Sequence, residues 1–211
     1  MDSILYSRGG QRHVSSENWH SEIIAGDYRA IIFDCDGTLV DSSETHFQAF
    51  QSAARAQGFD LDRNWYALRT GLDRLSLLTA FSEEVSGALD IALAAQQSID
   101  AFISKATTVS PIEETNRLLR ALGRTHPMAV GTNAEIEVAT ASLKAVDLLD
   151  YFGAIASVSD GLPAKPAPDI FVHAAKKLGV PTAMTLVFED SKEGVSAALA
   201  AGSDVLQIIH S

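Results

Sequence analysis

The chain is organised around Ala30-Ile31-Ile32-Phe33-Asp34-Cys35-Asp36-Gly37-Thr38-Leu39-Val40-Asp41-Ser42. The segment opens with a short apolar run that contains two isoleucines, which predicts a buried parallel strand over residues 30–33. Two carboxylates, Asp34 and Asp36, follow at a spacing of two residues. Because an unpaired buried charge is costly, acids at the end of a buried strand need a partner or a chemical task. A bound divalent cation and a reactive carboxylate are the two possibilities that this segment leaves open.

Length and composition indicate a globular protein. The chain has 211 residues, 46% of them hydrophobic, which suits one large domain or a core with a small insert. It contains no run of about 18 apolar residues, so we expect no transmembrane helix. Residues 1–28 lack the apolar core of a signal peptide, and we expect them to form a loose N-terminal extension or an added first helix.

Charge and cysteine content restrict the partners and the compartment. The net charge of −11 argues against a nucleic-acid or membrane-surface binder, although a local cation can still attract an anionic substrate into a pocket. Cys35 is the single cysteine, so a disulfide within the chain is impossible and a reducing, cytoplasmic location is expected. The expected assembly is a monomer or a weak homodimer.

Residues 43–109 have the periodicity of helices and contain no convincing strand. Four helices are predicted, over about residues 43–58, over about residues 62–69, from Asp73 onward, and over about residues 88–105. We therefore predict a small helical cap domain over residues 43–109. Its hinges are expected near residues 41–42 and 110–111.

Helices and strands alternate from Pro111 onward. The predicted helices cover residues 113–122, 135–146, 169–178 and 192–201, and the predicted strands cover residues 128–132, 154–158, 185–188 and 205–209. Alternation of this kind implies a parallel sheet with helices on both faces. The fold class is therefore α/β, with a Rossmann-like core formed by residues 29–42 and 110–211. Ligands of such sheets bind at the carboxyl ends of the strands.

Four clusters of polar residues lie at or near these strand ends. They are Asp34 with Asp36, Thr132 with Asn133, Lys165 in a proline-rich loop, and Glu189 with Asp190. Together they supply acids for a hard cation, a hydroxyl and amides for phosphate oxygens, and one ammonium group. The strand-end rule places Asp34 and Asp36, Thr132 and Asn133, and Glu189 and Asp190 on one edge of the sheet.

This combination resembles the haloacid dehalogenase superfamily of phosphotransferases over about residues 30–209. The segments at residues 127–132, 165–169 and 187–190 look like those of the β-phosphoglucomutases and of small sugar-phosphate phosphatases, including phosphatases that act on fructose 1-phosphate. The resemblance implies a phosphoric monoester hydrolase that depends on Mg²⁺. Its substrate would be a small phosphorylated metabolite, a sugar phosphate, and its intermediate an aspartyl-phosphate.

The resemblance also implies catalytic and phosphate-binding roles. Asp34 would attack phosphorus, and Asp36 would protonate the leaving alcohol and then take a proton from water. Lys165 would balance the charges of the nucleophile and the phosphate. Thr132 and the amide after it would bind phosphate oxygens, and Asn133 would be either a phosphate or substrate contact or a helix cap.

The implied cofactor is Mg²⁺, which prefers oxygen ligands. By resemblance its ligands are the carboxylates of Asp34 and Asp190 and the backbone carbonyl of Asp36. Glu189 is either a further ligand or a neighbour of the ligands. The ion would reduce the repulsion between Asp34 and an anionic phosphate.

The sequence of the predicted cap does not decide between a phosphatase and a mutase. His46 and Arg74 match positions of the mutase-like subfamily that face the substrate across the cap. His46 could instead be a structural histidine, and Arg74 a solvated charge on a helix. The loop at residues 69–74 has Thr70 and Asp73 where the mutase loop has a lysine and a serine, which disfavours a mutase. A β-phosphoglucomutase-like mutase is therefore the alternative, and a non-catalytic binding relative ranks below it. The second acid, Asp36, favours attack on phosphorus over the carbon chemistry of the dehalogenases.

Overall fold

Strands and helices follow one another along the chain, of which the computed structural model describes residues 1–85, 89–123 and 125–210. In this part the strands are β1 (Asp2–Ser7), β2 (Gly10–Ser15), β3 (Ala30–Phe33), β4 (Val40–Asp41), β5 (Ser110–Pro111), β6 (Met128–Gly131), β7 (Ala154–Ala156), β8 (Thr185–Glu189) and β9 (Asp204–Ile209). The α-helices are α1 (Trp19–Ala25), α2 (Ser43–Ala56), α3 (Arg63–Ala67), α4 (Arg74–Glu84), α5 (Ile91–Ser104), α6 (Glu113–Leu122), α7 (Ile136–Ala145), α8 (Asp169–Leu178) and α9 (Lys192–Ala200).

A seven-stranded sheet has the order β2-β1-β9-β8-β3-β6-β7. β3 pairs in parallel with β6 and β8, β6 with β7, and β8 with β9, so five neighbouring strands run in one direction. β1 and β2 add an antiparallel edge next to β9. Because the parallel strands are connected by helices, the predicted α/β, Rossmann-like class is confirmed.

The central strand β3 contributes side chains to both hydrophobic layers. Ile31 and Phe33 belong to a large cluster with Phe188, whereas Ile32 packs on the opposite face with Val187. Successive side chains of a strand point to opposite faces, so a strand buried on both sides can be apolar throughout. This burial fixes the position of the residues that follow β3.

The predicted elements of the core agree with the structure. β3, α6 and α8 begin and end at the predicted residues, and most other elements differ by one or two residues at an end. The helix predicted over residues 88–105 is α5, and its predicted start at Ala88 lies outside the described residues. None of the described helices has the length and apolar character that a membrane crossing needs.

Residues 1–28 are not a loose tail, so that prediction was wrong. β1 and β2 form a hairpin, and β1 pairs with β9 along the sheet edge. The alternative prediction of an added first helix agrees with α1. Trp19 of α1 donates a hydrogen bond to Ser3 Oγ at 2.9 Å and packs edge-to-face on Phe188 with 5.3 Å between ring centroids. The N-terminal segment is therefore anchored to the central core by both backbone and side-chain contacts.

Residues 43–109, here called the helical insert, contain α2 to α5 and, among the described residues, no strand. The insert has its own hydrophobic cluster, which includes Phe47, Phe50 and Phe81. Its two ends are joined by β4 and β5, which pair antiparallel where the hinges were predicted. Ser43 begins α2 as predicted, but the N-cap position belongs to Ser42. The division into a cap domain and a core domain stays a prediction.

Candidate active site

A cavity of about 450 Å³ lies between the carboxyl ends of the parallel strands and the helical insert. All of the site residues predicted from the sequence line this cavity. They are Asp34, Asp36, His46, Arg74, Thr132, Asn133, Lys165, Glu189 and Asp190. The acids and the Thr132–Asn133 loop come together at the strand ends as the strand-end rule predicts, whereas His46 and Arg74 reach the cavity from the helical insert. The structure adds how these residues contact one another.

Lys165 forms a buried ion-pair cluster with two acids that follow separate strands. Its Nζ donates hydrogen bonds to Asp34 Oδ1 at 2.5 Å and to Glu189 Oε1 at 2.7 Å. Burial raises the pKa of Asp34 well above its ordinary value, although the nearby Lys165 opposes this shift. Burial by itself would lower the pKa of Lys165, but the two carboxylates raise it above its ordinary value. The ammonium group therefore stays charged beside the predicted nucleophile.

Three carboxylates at this end of the sheet have the chemistry of a divalent metal site. Asp34, Glu189 and Asp190 each place one carboxylate oxygen within 4.8 Å of the others. Burial and the charge of Glu189 raise the pKa of Asp190 to about 6. The cations near these carboxylates therefore do not fully offset their negative charge. A set of oxygen donors with excess negative charge fits Mg²⁺. Gly37, at φ +89°, lets its loop approach this group, since a Cβ there would overlap the Asp190 carboxylate.

The carboxylate of Asp36 lies at the border between the core and the helical insert. It accepts a hydrogen bond from Ser42 Oγ and lies 3.2 Å from His46 Nε2. Burial opposes its ionisation, but His46 and Ser42 together hold the pKa of Asp36 below its ordinary value. Asp36 therefore connects the loop after β3 with the first residues of the insert.

Thr132 and Asn133 follow β6 and order the loop opposite Asp34. Thr132 Oγ1 accepts a hydrogen bond from the amide of Ala134 at 3.0 Å. Asn133 Oδ1 accepts from the amide of Lys165 at 2.8 Å, and its Nδ2 donates to the carbonyl of the same residue at 3.4 Å. The N-cap position of α7 is Glu135, so the interpretation of Asn133 as a helix cap was wrong. The structure places Asn133 so that it holds the backbone of Lys165, and a phosphate or substrate contact of its side chain stays a prediction.

Arg74 lies on the wall of the cavity that the insert forms, with its charge already paired. Its Nε donates to both carboxylate oxygens of Glu135 at 2.9 Å, and Nη1 donates to Ser98 Oγ at 2.7 Å. The guanidinium also lies 4.8 Å from the centroid of the Phe50 ring. Sequence reasoning missed Glu135, because 61 residues separate it from Arg74 and no local pattern indicates the pair.

Two further residues contact the acidic groups and were not predicted as site residues. Ser42 was identified as a hinge, and its hydroxyl bonds Asp36. His210, which follows β9, places Nε2 2.7 Å from the carbonyl oxygen of Gly37 and 3.8 Å from Asp190. The sequence carries no signal for His210, since its position depends on the pairing of β9 with β8.

A family of proteins described as haloacid dehalogenase-like hydrolases matches residues 28–202. The match covers most of the chain and every predicted site residue, so the chain belongs to this family. The superfamily inferred from the motifs is confirmed, and so is the enzyme class, a phosphoric monoester hydrolase. The hairpin of β1 and β2 and helix α1 precede the matched residues.

Individual relatives agree with this assignment. Fructose-1-phosphate phosphatase YqaB of Escherichia coli is 32% identical over 182 residues, which cover 86% of this chain and 96% of the relative. β-Phosphoglucomutase of Bacillus subtilis is 29% identical over 82% of this chain and 80% of that protein. Among solved structures, CbbY from Rhodobacter sphaeroides in complex with phosphate superposes with a TM-score of 0.78 at 28% identity and covers 84% of each chain.

Proposed function

We propose that the protein is a Mg²⁺-dependent phosphatase that hydrolyses a small phosphorylated metabolite, a sugar phosphate, through an aspartyl-phosphate intermediate. The observation that carries this proposal is the buried cluster of Asp34, Lys165 and Glu189 at the floor of the cavity. A carboxylate held beside a permanent cation can attack an anionic phosphate with less repulsion. The E. coli relative, a fructose-1-phosphate phosphatase, supports a sugar phosphate as the substrate.

The first step transfers the phosphoryl group to the protein. A carboxylate oxygen of Asp34 attacks phosphorus, the bond from phosphorus to the alcohol oxygen breaks, and Asp36 gives its proton to the leaving oxygen. At rest Asp36 is held ionised by His46 and Ser42, but a phosphate dianion beside it favours the protonated form. Lys165 and the amides after Thr132 bind the phosphoryl oxygens as charge moves onto the leaving group.

The second step releases phosphate. Water attacks the phosphorus of the aspartyl-phosphate, Asp36 takes a proton from the water, and the bond between phosphorus and Asp34 breaks. Inorganic phosphate leaves, and the carboxylate of Asp34 is restored beside Lys165. The same acid thus donates a proton in one step and accepts one in the other, so its position next to the leaving oxygen is essential in both.

Mg²⁺ would bind the carboxylates of Asp34 and Asp190 and the backbone carbonyl of Asp36. When bound, the ion supplies positive charge that offsets the negative charge of the phosphoryl oxygens in the transition state. Both carboxylate oxygens of Glu189 already accept hydrogen bonds, from Lys165 at 2.7 Å and from the amide of Ser191 at 2.7 Å. These bonds favour Glu189 as a neighbour of the ligands.

The helical insert would act as a cap domain over residues 43–109, on a core domain of residues 29–42 and 110–211. Closure of such a cap excludes bulk water and lets side chains of the insert select the leaving group. His46 and Arg74 support this role because both line the cavity from the insert side. The short ribbon of β4 and β5 would be the hinge, since both connections to the insert pass through it.

A phosphosugar mutase is the second candidate, supported by the 29% identity to the B. subtilis β-phosphoglucomutase. It would share the first step and then return the phosphoryl group to a sugar hydroxyl instead of water. The fate of phosphate distinguishes the two: a phosphatase releases inorganic phosphate from sugar monophosphates, whereas a mutase converts β-glucose 1-phosphate to glucose 6-phosphate without net release.

Replacement of the nucleophile tests the proposed function. We expect the wild-type protein with Mg²⁺ to release phosphate from a panel of sugar phosphates, and EDTA to abolish the release. Asp34→Asn should lower kcat by at least ~10³-fold, because an amide cannot form the intermediate. Asp150→Asn, which changes an exposed acid outside the cavity, is the matched control and should leave kcat unchanged. Turnover retained in Asp34→Asn, or no turnover of any phosphomonoester by the wild type, would contradict the proposal.

A further inference from the structure

We propose that Glu135 makes this site selective for monophosphates of an otherwise uncharged alcohol, because its pairing with Arg74 leaves no cation for a second phosphate. The inference rests on the proposed phosphatase function and specifies its substrate class. Glu135 follows the proposed phosphate-binding loop, residues 132–134, and the inference gives it a role in substrate specificity.

Acidic side chains dominate the cavity. Besides the four acids of its floor, namely Asp34, Asp36, Glu189 and Asp190, four more line its walls. These wall acids are Asp41, Asp73, Glu135 and Glu193. Among the described residues that line the cavity, the permanent cations are Lys165 and Arg74. The transferred phosphate would use Lys165, so a second phosphate could be balanced only by Arg74.

Arg74 is not free to bind that second phosphate. Its side chain is 4% exposed, its Nε lies 2.9 Å from both carboxylate oxygens of Glu135, and Nη1 is bonded to Ser98. Glu135 is 17% exposed and lines the cavity from the position just before α7. The pair is thus mostly removed from water, where a charge and its partner separate only at a substantial cost.

Glu135 also lies at the N-terminus of helix α7, although its side chain makes no capping hydrogen bond there and is held by Arg74. A helix N-terminus attracts negative charge, and Glu135 is the N-cap residue of this helix of 10 residues. A second phosphate would have to displace this carboxylate from Arg74, or else lie uncompensated beside it. Either outcome weakens the binding of a bisphosphate.

An uncharged polyol has no such conflict. Its hydroxyl groups are donors, and carboxylate oxygens such as those of Glu135 and Asp73 are strong acceptors. The substrate class that fits this wall is therefore the phosphomonoester of a polyol or sugar that carries no second phosphate and no carboxylate.

The test compares two substrates that differ only in the second phosphate. The specificity constants kcat/KM for fructose 1-phosphate and fructose 1,6-bisphosphate are measured with the wild-type protein and Mg²⁺, and phosphorus NMR identifies the ester that is cleaved. We expect the monophosphate to be preferred by at least ~10-fold. Glu135→Gln frees Arg74 and should reduce this preference by at least ~5-fold, because kcat/KM for the bisphosphate rises.

Two variants control for other effects. Glu193→Gln removes a carboxylate from the same cavity without freeing a cation, and it should change the preference by less than ~2-fold. Addition of Arg74→Gln to Glu135→Gln should remove the gain on the bisphosphate, because the freed guanidinium is the group that binds it. Circular dichroism checks that each variant is folded. If a variant does not fold, the preference of the wild-type protein for the monophosphate still tests the proposal.

The outcomes separate the two proposals. Equal use of the two substrates by the wild-type protein would overturn the selectivity and leave the phosphatase function intact. The same change of preference in Glu135→Gln and Glu193→Gln would overturn the role of the Arg74–Glu135 pair. Hydrolysis of neither these substrates nor any other phosphomonoester would contradict the phosphatase function itself, and the selectivity with it.

Discussion

Two buried cations line the cavity, one from the core and one from the helical insert, and their partners differ. Lys165 on the floor is bonded to Asp34 and Glu189 at 2.5 and 2.7 Å, so one of its partners is the proposed nucleophile. Arg74 on the insert side is bonded to Glu135, an acid that takes no part in the proposed chemistry. Under our two proposals, similar buried ion pairs prepare a reaction in one place and restrict the substrate in another.

The two pairs also differ in what they connect. The floor pair joins loops that all follow strands of one sheet, so its geometry is fixed by the core. The Arg74–Glu135 pair joins α4 of the helical insert to the start of α7 in the core. A change in the floor should therefore affect the chemical step, whereas a change in the other pair should affect binding.

The largest effect is expected from breaking the floor pair. Lys165→Met removes the cation and leaves two buried carboxylates unpaired beside an incoming phosphate, so kcat should fall by ~10³-fold or more. Steady-state rates on the best sugar phosphate measure the loss. The exposed Lys176 of α8 offers a matched control, Lys176→Met, which should retain full activity. If Lys165→Met kept more than about a tenth of wild-type kcat, the floor pair would not prepare the nucleophile.

An intermediate effect is expected at Asp36, which lies between the two pairs. Asp36→Asn removes the proposed proton donor and acceptor, and general acid–base catalysis contributes roughly 10²–10⁴-fold. We expect a loss near the lower end of this range on a sugar phosphate and a smaller loss on p-nitrophenyl phosphate, whose leaving group needs no proton. Asp150→Asn changes an exposed acid outside the cavity and serves as the control. Equal losses on both substrates would argue against proton donation by Asp36.

The smallest effect is expected at the Arg74 pair. Arg74→Lys keeps the positive charge, but a lysine ammonium lacks the planar guanidinium that bonds Glu135 and Ser98 simultaneously. For a monophosphate, KM should rise by about 3- to 10-fold while kcat changes little. Arg69→Lys, at a residue whose guanidinium stacks on Trp65, controls for the loss of a guanidinium in the insert. A fall of kcat as large as that of Lys165→Met would remove the distinction between the two pairs.

The sequence predicted the floor of the site well because its signals are local. An apolar run identifies a buried strand, and the residues after such strands share one edge of a parallel sheet. Asp34, Thr132 and Asp190 could therefore be placed together before any contact between them was known, whereas Lys165 was assigned to the site through the family resemblance. The hydrogen-bond partners of these residues were harder to predict from the sequence. Asn133, for example, bonds the backbone of Lys165 instead of capping α7.

The N-terminal hairpin was missed because its buried face is partly polar. Ser3 is fully buried, where it donates to the carbonyl of Val14 at 2.6 Å and accepts from Trp19, so the segment lacks the expected apolar alternation. The pair Gly9-Gly10 was the available signal, since two glycines between short segments are typical of a hairpin.

The α/β class, most element boundaries and the edge of the sheet where the acids meet could be predicted from the sequence, because they follow from hydrophobic period and strand direction. Only the tertiary structure decided that Arg74 pairs with Glu135, that His210 reaches Gly37, and that β1 extends the sheet at β9. Such contacts join residues far apart in the chain, so they depend on how the elements pack and on no pattern within any one element.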